Sequence, residues 1–148
     1  MTEFTHRIDI KAPRKRVWGV MADIPRWPEW TPTVSRVEAE GEGPVGVGSR
    51  FRLHQPKLRP ATWEITDWTP GSGFAWVSRA PGLTSRGEHL AAEAEGRTIV
   101  TLRVTFEGLL APVVAFLAGR MTSDYIRQEA EGLKKRAELP SSSRVHES

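Results

Sequence analysis

Cysteine is absent from the 148 residues, and so is asparagine. Without cysteine there is no disulfide framework, no thiol nucleophile and no thiolate metal site. Without asparagine there is no N-glycosylation sequon. No apolar run reaches the roughly 20 residues that a membrane span requires, and the N-terminal MTEFTHRIDI holds no signal-peptide core. These absences set the expectation of a cytoplasmic protein. Charge of either sign is not in large excess, with a net value of +3. Its local clusters, Arg14-Lys15-Arg16 and Lys134-Lys135-Arg136, fall in helix-like segments and read as solvated faces. No basic stripe is interleaved with aromatics, so a nucleic-acid partner is not expected.

Catalytic signatures are equally sparse. The four histidines, 6, 54, 89 and 146, show no metal-ligand spacing, and no G-x-S-x-G elbow occurs. GEGPVG at 41–46 matches G-x-G-x-x-G only formally. A dinucleotide fingerprint opens a helix, whereas Pro44 and the strand-like GSRFRLH stand here. A hairpin connection is the better reading. Neither a metal nor a cofactor is expected.

Tryptophan, in contrast, is abundant, at positions 18, 27, 30, 63, 68 and 76. A compact core needs fewer, and wide rings lining a cavity would account for the surplus. The length suits one domain, expected over 1–139, with the polar tail 140–148 disordered.

Periodicity supplies the order of elements. Residues 3–10 alternate as a strand, with Phe4, His6, Ile8 and Ile10 on one side. Pro13 is suited to the first turn of a short helix. Asp23 can cap a second, DIPRWPEW, with Pro25 in its first turn. Six strand patterns follow, joined by short turns. They include RFRLHQ, ATWEITDW, GFAWVSR and the cleanest, RTIVTLRVTFEG, which places Val100, Leu102, Val104 and Phe106 on one face. One long helix then runs from about Leu109 to Glu138. It carries two apolar stripes, Leu110, Val113, Val114, Leu117, Met121 and Tyr125, then Ile126, Ala130, Leu133 and Ala137. A bend near Gly119 or a change of packing partner would reconcile them. The class is α+β, and curling the sheet around the long helix is the economical way to cover its apolar face.

Several residue groups in this order resemble the SRPBCC (START-like, Bet v 1-like) superfamily, and within it the polyketide cyclase/dehydrase-like bacterial proteins. They are Ala12-Pro13 followed by Val17-Trp18, Asp23, Trp27-Pro28-Glu29-Trp30, Val34, Trp63 to Pro70, Phe74-Ala75-Trp76, Gly96-Arg97-Thr98 and Phe106-Glu107-Gly108. The resemblance spans roughly residues 3–138. It implies a helix-grip fold, a seven-stranded antiparallel sheet curved around the C-terminal helix, with two short helices between the first two strands and an apolar cavity inside. It also implies a small hydrophobic ligand (a lipid, polyketide, aromatic or isoprenoid-like molecule) or aromatase/cyclase activity. A protein-interaction or assembly role, and a monomer or homodimer, stay open.

The lining expected of such a cavity is Trp18, Trp27, Phe51, Leu53, Gln55, Trp63, Ile65, Phe74, Trp76, Leu90, Phe106, Val114, Leu117, Met121 and Tyr125, with Arg86 and Glu88. Strand 83–93 allows two registers. Leu90, its bulkiest apolar residue, favours the one that turns Glu88, Arg86 and Thr84 inward; the other turns in His89, Gly87 and Ser85. In the first, Arg86 and Glu88 could pair, or Arg86 could hold an anionic or carbonyl group; solvation of both is the competing reading. Arg86, Glu88 and Tyr125 are thus the candidate catalytic groups. Trp30 is expected to be a packing anchor and Trp27 a cavity lip.

Overall fold

The computed structural model describes residues 2–139. β1 (Thr2–Ile10) alternates half-buried and exposed residues. Pro13 then opens α1 (Arg14–Ala22), which buries Val17 and Met21, one turn apart. The stretch Ile24–Glu29 is a 3-10 helix and not an α-helix. Pro25 and Pro28 remove two backbone donors, so only a tight turn forms, with Ile24 and Trp27 buried three residues apart.

The six further strands are β2 (Arg36–Glu40), β3 (Arg50–His54), β4 (Ala61–Thr69), β5 (Gly73–Ala80), β6 (Leu83–Ala94) and β7 (Arg97–Glu107). Together the seven form one antiparallel sheet in the order β1-β7-β6-β5-β4-β3-β2. The final helix, α2, runs without interruption from Ala111 to Ala137. This is the helix-grip arrangement that the resemblance implies.

Two local devices set which side chains face the core. The turn between β6 and β7 has two residues, Glu95 and Gly96, both with positive φ, so Ala94 pairs with Arg97. Counting back, Leu102 faces His89 and Val104 faces Gly87. In β4 a bulge lies between Ile65 and Asp67. Simple alternation from Ile65 would turn Trp68 outward; the extra residue turns it inward, onto Phe74 (ring centroids 5.4 Å apart) and Trp18 (5.0 Å).

α2 buries only one of its two stripes. At about 100° per residue, the stripe through Leu110, Val113 and Leu117 lies nearly opposite the one through Ile126, Ala130, Leu133 and Ala137. One uninterrupted helix cannot present both to the sheet. The second stripe is buried, and the first is not: Leu117 is 76% exposed. Small residues decide the outcome. Gly132 packs so tightly on the Trp30 backbone that a Cβ there would sit 2.0 Å from the Trp30 carbonyl oxygen. Through its first half the helix shows the sheet mainly small residues, Ala111, Ala115, Ala118, Gly119 and Thr122.

Candidate functional site

A cavity of about 140 Å³ lies between the sheet and the middle of α2. β3 and its exit loop contribute Leu53, Gln55 and Leu58; β4 and β5 contribute Trp63 and Trp76; β7 contributes Leu102, Val104 and Phe106. The helix contributes Thr122, Tyr125, Ile126 and Glu129, and Trp27 closes the inner end.

Several expected lining residues are therefore in place: Trp27, Leu53, Gln55, Trp63, Trp76, Phe106 and Tyr125. Trp27 is floor and not lip. It is 1% exposed, and its indole N–H donates to the Met21 carbonyl oxygen at 3.0 Å. Trp30 is the half-buried member of the pair and does not border this cavity, so Trp27 is the packing anchor and neither ring is a lip. The reason is the 3-10 turn, which aims positions 24 and 27 inward together. Phe51, Ile65 and Phe74 are core residues that do not border the cavity, and Trp18 packs on Trp68 instead. Val114 and Met121 are half-buried on the flank of α2, and Leu117 faces away.

The favoured register of β6 is corrected. Leu90 is 40% exposed, whereas Gly87, His89 and Ala91 are buried. A face carrying Gly87 accommodates Trp76, because a Cβ at Gly87 would lie 2.9 Å from the Trp76 indole nitrogen. Leu90 is the bulkiest residue, but the aromatic rings of β5 already fill the space on the inner face. Arg86 and Glu88 point their charges to the outer face. There Arg86 meets Asp67 at 3.1 Å and Glu88 at 3.4 Å, and Glu88 meets Arg103 at 3.0 Å. Glu88 borders the cavity only along its strand. In this half-exposed ladder the charges of Arg86 and Glu88 are engaged with Asp67, Arg103 and each other on the outer face, so neither is aimed at the cavity as a catalytic group. Tyr125 keeps its place at the cavity, but its hydroxyl donates to the Pro56 carbonyl in the β3–β4 loop.

The polar centre of the cavity is His89, which the disfavoured register of β6 turns inward, paired with Glu129, which the sequence did not single out. His89 Nε2 lies 3.0 Å from Glu129 Oε2, across the gap between β6 and α2. The imidazole stacks on Phe74 at 4.4 Å with an interplanar angle of 6°, and the Trp27 and Trp76 rings stand 5.3 and 5.6 Å from it. In the tautomer that carries its proton on Nε2, facing Glu129, the ring presents a lone pair at Nδ1. Nδ1 is buried with no hydrogen-bond partner among the described residues, and so is the indole N–H of Trp63. One cavity thus brings together an unmatched acceptor and an unmatched donor in an apolar setting. Buried polar atoms are normally paired, so both point to what the cavity takes. Two-residue turn arithmetic from Glu95-Gly96 would have found His89, since Val100, Leu102, Val104 and Phe106 already marked the inner face of β7.

Among the described residues no cluster of His, Cys, Asp or Glu could hold a metal, and no helix is long and apolar enough to cross a membrane. A search of curated proteins found no match. Among solved structures, TTHA0849 from Thermus thermophilus is similar, with a TM-score of 0.74 and 17% identity over 92% of this chain and 97% of that one. The Zhui aromatase/cyclase from Streptomyces sp. R1128 gives a TM-score of 0.71 and 23% identity, covering 93% of each chain. Ara h 8.0201 gives 0.68 and 12% identity over 92% of this chain and 97% of that one. At these identities the likeness concerns the fold. A family model described as polyketide cyclase/dehydrase and lipid transport matches residues 1–138, nearly all of the sheet, cavity and helix just described, and the chain therefore belongs to that family, within the SRPBCC superfamily.

Proposed function

We propose that the chain binds a small, largely apolar molecule carrying a hydroxyl or carbonyl group, in the cavity between the sheet and α2. The observation that carries this reading is the coincidence of His89 Nδ1 and the Trp63 indole N–H, both buried and unmatched, on one aromatic-lined cavity. A ligand hydroxyl can donate to Nδ1, and a hydroxyl or carbonyl oxygen can accept from the indole. Leaving such groups unmatched costs about 1–3 kcal/mol each, so a ligand that meets them gains over a purely apolar one of equal size. About 140 Å³ suits a single six-membered ring, as a dry cavity of about 150 Å³ takes benzene.

Phenol and toluene, matched in size, make the test. Tryptophan fluorescence should show phenol binding about fivefold more tightly or better, from about 1 kcal/mol per hydrogen bond. In His89→Phe the preference should fall to the share that the Trp63 indole N–H supplies. Equal affinity for the two in the wild-type protein would sink the proposal.

The His89–Glu129 pair also favours a second reading, an aromatase/cyclase. A neutral Nδ1 can take the proton from a methylene flanked by two carbonyls. The resulting enolate carbon attacks a further carbonyl of the same chain, and the new alkoxide takes the proton back from the imidazolium. Nδ1 then removes the second methylene proton as the hydroxyl departs, and that proton leaves with the hydroxyl as water, with Glu129 holding the imidazolium in place at each stage. Turnover of a poly-β-keto mimic should then disappear in His89→Ala and persist in Arg86→Ala. Loss in Arg86→Ala alone would contradict it.

A further inference from the structure

The first half of α2 is amphipathic the wrong way round. Its sheet-facing positions are small, and its bulk points to solvent, as do the two leucines that lead into it: Phe116 is 87% exposed, Leu117 76% and Val113 53%, with Leu109 at 93% and Leu110 at 47%. Past Arg120 the polarity reverses, with Asp124, Arg127, Gln128, Glu131 and Lys135 outward. From Gly108 to Ser123 the chain holds no acid. The structure fixes this apolar face at the end of the molecule, because the Leu110 N–H donates to the Gly82 carbonyl at 2.9 Å and Gly108 lies against Gly82.

Charge decides what can cover it. Arg120 lies on the face itself and shares a surface groove with Lys57. Arg59 stands next to Leu58, which is 46% exposed. Arg79 precedes the β5–β6 turn that touches Leu110. Of the nearby acids, Asp124 is engaged by Arg127 and Gln128, which leaves Glu107. A second copy placed on this face would bring these cations against their own kind. Protein interfaces also draw their energy from Trp, Tyr and Arg anchors more than from Leu. Leucine and phenylalanine ringed by Lys and Arg match a helix lying in a lipid interface.

We infer that the N-terminal half of α2 docks on anionic lipid bilayers, with Phe116 and Leu117 entering the acyl boundary and Arg79, Arg120, Lys57 and Arg59 facing the phosphates. This goes beyond cavity binding and does not depend on it.

Flotation of the full chain with phosphatidylcholine vesicles, with and without a third of phosphatidylglycerol, tests the inference. The protein should float with the anionic vesicles at low salt and be released at high salt. F116S/L117S should lower the partition at least tenfold, since burial of two large side chains is lost. Arg120→Gln should lower it about fivefold, the equivalent of about 1 kcal/mol per cation. Both changes are at exposed positions, and unchanged melting temperatures would confirm intact folds. Absence of flotation by the folded wild type overturns the inference, as does flotation that ignores F116S/L117S. A dimer in sedimentation equilibrium that this double change dissolves, without vesicle binding, assigns the face to a second copy instead. His89→Phe should float normally, so failure of the cavity proposal and failure of this one are separable.

Discussion

Trp27 illustrates how a single ring can serve core and cavity together. Its centroid lies 5.3 Å from His89, 5.4 Å from Trp76, 5.5 Å from Trp30 and 6.3 Å from Phe74. Removing it empties the centre of the aromatic cluster. Trp27→Ala should therefore destabilise the protein by about 3–5 kcal/mol, the range for a large buried aromatic. Trp30→Ala, at a half-buried site, should cost clearly less. Urea denaturation of both variants would check the ranking, and equal losses would contradict it. The sequence made this residue conspicuous but suggested the opposite role, because a loop dense in prolines looks like a lip. The burial of positions 24 and 27 follows from the three-residue turn, which is legible only once Pro28 is taken to exclude an α-helix. His89 was hidden for a related reason. Bulk at Leu90 outweighed the turn geometry at Glu95-Gly96, yet the turn sets the register and the bulk does not.

At the scale of the element, α2 is held at its C-terminal half and hardly at all before it. Gly132 is the point of closest approach. Gly132→Ala would force a methyl group into the Trp30 carbonyl, 2.0 Å away, and the obstacle is backbone and cannot rotate aside. The expected loss is about 3 kcal/mol or more, at or beyond the upper end for overpacked cores. Little or no loss on denaturation would show that the helix can shift outward. The helix end is tied by Glu138, whose carboxylate receives Lys134 Nζ at 2.6 Å and the Lys11 backbone N–H at 2.7 Å. Those two donors, Lys134 first, hold its pKa below the ordinary 4.5. A depressed acid stabilises fully above its ordinary value, and the contribution fades as pH falls through the lower folded value. Glu138→Gln should thus flatten the acid side of the melting curve against pH. Glu38→Gln is the control. His54 lowers the Glu38 pKa by a hydrogen bond, but that pair is half-exposed on β2 and β3 at the edge of the sheet, where screening leaves a smaller effect. The long helix itself was plain from its periodicity, and so was its buried stripe. What periodicity could not decide was which of two opposed stripes the sheet would take, since that choice rests on Gly132, Ala130 and Ala137 allowing close approach.

For the whole molecule, the uneven hold on α2 bears on how a ligand enters. A cavity of about 140 Å³ is below the roughly 300–1,000 Å³ usual for small-molecule sites, so any ligand larger than one ring needs the sheet and helix to part. The second half of α2 resists, since burying Ile126 and Leu133 is worth about 1.5–3 kcal/mol each. The first half is held by alanines, Thr122, the half-buried Val114 and Met121, the contact of Gly119 with Phe4 and the Leu110 N–H on the Gly82 carbonyl, together with the Tyr125 hydroxyl on the Pro56 carbonyl. A difference of about 3 kcal/mol in local opening corresponds to about a hundredfold in amide exchange. Exchange followed by mass spectrometry should accordingly be about that much faster over residues 114–122 than over 126–137. Tyr125→Phe, which removes the latch to the β3–β4 loop, should widen the gap and speed uptake of a two-ring probe such as 1-naphthol. A bound probe should slow exchange in the first half and leave the second half unchanged. Uniform protection along the whole helix, unaltered by Tyr125→Phe, would mean that α2 does not open and that the cavity admits only what already fits.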